Sequence, residues 1–208
     1  MSWFPDYQPV ENSDLSDASF LAAGRALHIC HLFENQCKWV LQTGEVSASL
    51  KENKEISFKE AWSNFKDRWL AQTVKSLGQL SGITDNDVAT LEEAVAARNY
   101  IAHESTLFFH SQVKWLTIAT VKKLRFEVQR LSKGTSLTSL WSYEIENREP
   151  GPRGIFYEYP KLVDDWCFGH LKFLLEENEN HPELNRAEAV LLEYENVKNS
   201  KKKKASQS

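Results

Sequence analysis

The apolar residues of this chain recur at three- and four-residue steps, and that spacing limits the fold more than any other feature. Between residues 17 and 44 the sequence sets Leu21, Ala22, Ala26, Ile29, Phe33, Cys37 and Val40 on one stripe. At 3.6 residues per turn these positions form one face of a helix; in a strand they would scatter over both faces of a sheet. No convincing run of alternating apolar and polar residues is found. The sequence therefore predicts an all-α fold whose helices bury their stripes against one another.

Breakers and caps set the expected boundaries. Residues 1–16 are polar and Pro-containing, an extended lead-in. Ser16 or Asp17 can cap a first helix, and Gly44 is a natural stop. After a charged linker, Ser57 and Glu60 form a capping box for a second helix with an aromatic stripe of Phe58, Trp62, Phe65, Trp69 and then Val74, ending at Gly82. Thr84 or Asp85 opens a third helix toward residue 110, with acidic residues suited to the helix dipole. A fourth covers 112–131 and resumes after a break at Gly134. Residues 147–160, with three Pro and two Gly, read as a loop. Beyond it lie a helix over 161–180, a shorter polar one from about Pro182, and a disordered basic tail over 201–208. The expected organisation is a helical bundle over 17–146 with a four-helix core, plus a C-terminal helical extension over 161–200.

Composition narrows the function. Hydrophobic residues make up 41% of the 208 positions and include seven Trp, enough for a proper core. A net charge of −4 argues against a protein coated in basic surface, but not against one local basic pocket. Three Cys without framework spacing suit reduced thiols in the cytoplasm. The N-terminus lacks the basic and apolar regions of a signal peptide. No apolar stretch approaches the roughly 20 residues that span a bilayer. A soluble, cytoplasmic protein with no membrane partner is expected.

Within the third helix, AARNYIAHES (residues 96–105) sets Arg98, Asn99 and His103 among alanines and apolar residues. The seam Val88, Leu91, Val95 next falls on Arg98, so a cation arrives where the pattern calls for a hydrophobe. Asn99 and His103, four apart, share a face. Arg98 and His103 lie about 140° apart around the helix, within reach of one cleft. A guanidinium offers a planar fork of donors for phosphate oxygens, and an imidazole can take or give a proton near neutrality. Cleaving RNA without a metal needs a base for the 2′-hydroxyl, an acid for the leaving 5′-oxygen and a cation for the phosphorane. The motif holds one proton carrier; a two-fold dimer supplies the second. The structural alternative is a helix with a polar stripe, in which Arg98 pairs with Glu93 or Glu104.

Arg98-Asn99-Tyr100-Ile101-Ala102-His103, in a helix of a small all-α bundle, resembles the HEPN superfamily over about residues 17–131. The resemblance implies a HEPN-like helical bundle, catalysis by Arg98 and His103 assisted by Asn99, no cofactor, and an active site formed across a homodimer. The implied activity is that of a metal-independent endoribonuclease in a defence or toxin–antitoxin role, with RNA as substrate and an antitoxin protein as partner. Some members of the superfamily lack catalysis and serve as RNA-binding or protein-interaction modules. One toxin group carries Tyr two residues after the His; here that position is Ser105.

Other constellations are less specific. Lys114, Lys122, Lys123, Arg125 and Arg130 form a basic patch on the fourth helix, readable as an RNA path or a solvated face. His28 and His31 share a helix face, but Cys30 points elsewhere and no second ligand pair has finger spacing, so no metal site is expected. Asp67 and Arg68 read as surface charges, and Trp62, Phe65 and Trp69 as core rather than base-stacking groups. No phosphate loop, nucleophile elbow or dinucleotide fingerprint occurs.

Overall fold

A computed structural model of the chain describes residues 14–51, 69–80, 82–109, 111 and 113–205. The fold is all-helical, with no strand among the described residues. The expected capping box of Ser57 and Glu60, the aromatic positions Phe58, Trp62 and Phe65, and Asp67 and Arg68 lie outside the described residues.

The first helix, α1, covers Asp14–Lys51. Ala22, Ala26, Ile29, Phe33, Cys37 and Val40 of the stripe are buried, whereas Leu21 lies exposed at its edge. Gly44 does not stop the helix. A Cβ there would lie 2.8 Å from Leu80 Cδ1, so this glycine permits a close approach instead. The next described helix, α2, is Leu70–Leu77 and buries Thr73, Val74 and Leu77. Trp69 precedes it and is 78% exposed, not part of the core. Gly82, the expected helix end, sits in the following turn with φ 94°, a left-handed conformation natural to glycine.

Helix α3, Asp85–His103, begins with a capping box: Asp87 N–H donates to Thr84 Oγ1 at 3.2 Å and Thr84 N–H to Asp87 Oδ2 at 3.0 Å. Its buried face is Leu91, Ala94, Ala97 and Ile101, one position off the expected seam, with Val88 and Val95 only half-buried. It ends at His103, short of the expected 110, and a run of turns follows.

Helix α4, Lys114–Asn147, is continuous and touches α1, α3, α5 and α7. Gly134 is no break. A Cβ there would lie 2.4 Å from Ala94 Cβ and 3.2 Å from Phe33 Cε2, so the glycine lets α3 and α1 close on α4. Helix α5, Arg153–Phe168, starts well inside the expected loop and contains Pro160. A proline cannot donate to the carbonyl four residues back. That carbonyl, Phe156 O, accepts a hydrogen bond from Ser136 Oγ of α4 instead. A 3₁₀ turn over Gly169–Leu171 and α6, Lys172–Glu177, replace the rest of the single helix expected over 161–180. Helix α7, Pro182–Ala205, is long and takes in Lys201–Lys204, where a disordered tail was expected. Among the described residues, no helix is long and apolar enough to cross a membrane.

Candidate functional site on α3

Arg98, Asn99 and His103 sit on the last turns of α3. Packing of Leu91, Ala94, Ala97 and Ile101 fixes this helix, and with it the directions of the three polar residues. Arg98 borders the packed face and meets α1. Its Nε–H donates to Glu34 Oε1, in an ion pair whose side chains are 25% and 21% exposed. Its Nη1 donates to Asn99 Oδ1 at 3.2 Å. Glu93 and Glu104, the carboxylates expected as its partners, are engaged elsewhere: Glu93 with Arg130 at 3.7 Å and Glu104 with Lys198 at 2.7 Å.

Asn99 and His103 are both exposed. His103 makes no hydrogen bond or ion pair among the described residues. Arg98 and Asn99 are thus linked directly, and Asn99 and His103 share the outer face. Neither Arg98 nor His103 lines either of two described cavities. A cavity of about 250 Å³ between α4 and α7 and another of about 420 Å³ between α1 and α5 are lined by other residues.

Glu34 was visible in the sequence only as a polar residue of the first helix. Nothing local marks it as the partner of a residue on another helix. Two α1 neighbours of the pair are thiols. Burial pushes Cys30 up to about 12, against the lowering pull of Arg98. Cys37, in the core, is pushed up further by burial. His28 packs edge-on to Trp166, with ring centroids 5.8 Å apart, and His31 is exposed. Among the described residues, no group of three or more His, Cys, Asp or Glu comes together as a metal-ion set.

The basic residues of α4 do not form one open stripe. Lys122 pairs with Glu188 at 2.7 Å, and Lys123 with Glu127 at 3.1 Å and Glu195 at 3.7 Å. Arg125 faces another direction and grips Asp164 of α5 with two hydrogen bonds of 2.8 and 2.6 Å. Arg130 pairs with Glu127 at 2.9 Å. Lys114 is exposed, its amine 5.5 Å from the Trp115 ring. Helices α5 and α7 bring carboxylates that the linear sequence keeps 39 or more positions away from Arg125 and its neighbours, so Lys122, Lys123 and Arg125 of the expected RNA path each stand against a carboxylate, whereas, among the described residues, Lys114 does not.

Compared with family models, with curated proteins and with solved structures, the chain matches none.

Proposed function

We propose that this protein is a metal-independent endoribonuclease of HEPN type, with α1–α4 as the four-helix core and α5–α7 as an extension. The observation that carries this reading is the exposed imidazole of His103, which has no hydrogen bond or ion pair among the described residues, one turn beyond an Asn99 that is itself hydrogen-bonded to the Arg98 guanidinium. A proton carrier open to solvent and a positioned cation lie on one helix end. The protein acts in the cytoplasm as a homodimer, in a defence or toxin–antitoxin role with an antitoxin protein as partner.

In this mechanism His103 of one subunit takes the proton of a ribose 2′-hydroxyl, and the oxygen attacks the adjacent phosphorus. The bond to the 5′-oxygen breaks, and His103 of the partner subunit gives that oxygen a proton. Arg98 carries charge complementary to the phosphorane, oriented by Asn99. The products are a 2′,3′-cyclic phosphate and a 5′-hydroxyl. No metal or cofactor enters the balance.

A second reading, a non-catalytic RNA-binding or protein-interaction module, is favoured by the Glu34 pair, which partly neutralises Arg98. RNA cleavage in EDTA by the wild type and by His103→Ala separates the two. Helicity and oligomeric state of both proteins are matched first. The nuclease reading expects cleavage by the wild type, loss of about a hundredfold or more in the variant, and none at a 2′-deoxy scissile position. Equal cleavage by both proteins, or of the deoxy substrate, overturns it.

A further inference from the structure

The sequence leaves the C-terminal helix without a role, but the structure sets its Lys198 against Glu104, the residue after His103. Helix α7 is docked at several points along its length. The His181 ring, just before it, stacks on Trp115 at 4.0 Å. Glu188 pairs with Lys122 and Glu195 with Lys123 of α4. Tyr194 meets Phe108, in the turns after α3, with ring centroids 5.6 Å apart. Lys198 Nζ then lies 2.7 Å from Glu104 Oε1. Glu104 is the residue directly after His103.

From Lys198 the helix backbone continues for seven residues to Ala205, about 10 Å at 1.5 Å per residue. This segment carries Lys201–Lys204. Lys201 and Lys202 stand three and four positions beyond Lys198 along the helix backbone. From Asn196 onward the sequence contains no acidic residue. Lys122, Lys123, Arg125 and Arg130 of α4 are each paired with carboxylates, whereas the sequence from Asn196 onward concentrates positive charge at this helix end. The Lys198 pair also offsets the carboxylate that would repel a phosphate next to His103.

We infer that the end of α7 is a phosphate-backbone arm, in which Lys201–Lys204 hold single-stranded RNA as it passes His103. This inference rests on the endoribonuclease reading for its choice of ligand, although binding by the arm does not require cleavage. A helix anchored by Lys198 loses less freedom on binding than a loose tail would. Each lysine that meets a phosphate releases condensed counterions, so the contacts are readable in salt dependence.

The test uses the full chain with Lys201–Lys204 all changed to Gln, and a second variant with all four changed to Arg. Binding of a short fluorescein-labelled oligouridine is followed by anisotropy across a salt series. The Gln variant is expected to bind at least about tenfold more weakly at low salt, and its slope of log K against log salt to fall by about 0.7 for each lost contact. The Arg variant is expected to bind as the wild type does. An unchanged affinity and slope in the Gln variant overturns the arm, as does wild-type protein that ignores RNA but sediments with phosphatidylserine vesicles. Cleavage in EDTA is scored in parallel. Lysine-dependent binding without cleavage sustains the arm and removes the nuclease; cleavage with lysine-independent binding does the reverse.

Discussion

Glu34 of α1 and Arg98 of α3, 64 positions apart in the sequence, form a half-buried ion pair that fixes the direction of the guanidinium in the Arg98–His103 motif. The side chains are too exposed for the full energy of a buried pair and too enclosed for an ordinary surface one. Glu34→Gln keeps an acceptor and removes the charge. It is expected to cost about 1 kcal/mol in urea unfolding. Cleavage by this variant is expected to fall about tenfold to a hundredfold through misplacement of Arg98, with RNA affinity little changed. A Glu34→Gln protein that cuts at the wild-type rate would show that Arg98 acts without this support.

Gly134 is where α3 and α1 come closest to α4. Gly134→Ala adds a methyl group 2.4 Å from Ala94 Cβ, an atom with no rotamer to escape through. Overpacking costs about 1–3 kcal/mol, and better helix propensity returns about 1 kcal/mol. A net loss of stability is expected. The same substitution in an Ala94→Gly background is expected to cost less, and a double-mutant cycle in urea measures the difference.

Arg125 belongs to the fold. Its bidentate grip on Asp164 ties α4 to α5, and the hydrogen bonds that Arg125 donates to the Asp164 carboxylate hold the guanidinium pKa above its ordinary value. Arg125→Met leaves a largely covered carboxylate without its partner, at a cost of about 2 kcal/mol. The melting temperature is expected to drop while oligouridine affinity stays unchanged. A variant that folds as well as the wild type yet loses RNA would restore Arg125 to the RNA surface.

The thiols give the protein an alkaline limit. Burial pushes Cys30 and Cys167 up to about 12 and Cys37 further up, and Tyr159 is likewise pushed up to about 12. Unfolded thiols release their protons near about 8.5. Above that value the unfolded chain binds fewer protons than the folded one, so stability falls as pH rises. The contribution is intact below about pH 8.5 and is lost progressively toward pH 12. Urea midpoints at pH 8 and pH 10 are expected to differ in that direction. Iodoacetamide at pH 8 is expected to label the three cysteines only after unfolding, read by mass spectrometry.

The sequence by itself determined the helical class and much of the polar motif's placement. Ala22, Ala26, Ile29 and Phe33 repeat with the period of one helix, and Thr84 with the acidic turn after it marks a helix start; these are relations between residues within a few positions of one another. That Asn99 and His103 share a face was legible because a four-residue step fixes it, whereas their exposure came with the structure. The destinations of the charges were decided only by tertiary structure. Whether Arg98 meets Glu93, Glu104 or Glu34 depends on how α1 packs on α3, and whether Lys122, Lys123 and Arg125 face solvent depends on where α5 and α7 dock. Gly44 and Gly134 read locally as breakers, yet each permits a close approach to a distant residue. Pro160 lies inside a helix, and the carbonyl it cannot serve is taken by Ser136. Periodicity and capping are short-range and survive in a one-dimensional reading, whereas the pairing of a half-buried charge, or the space beside a glycine, exists only once distant helices have docked.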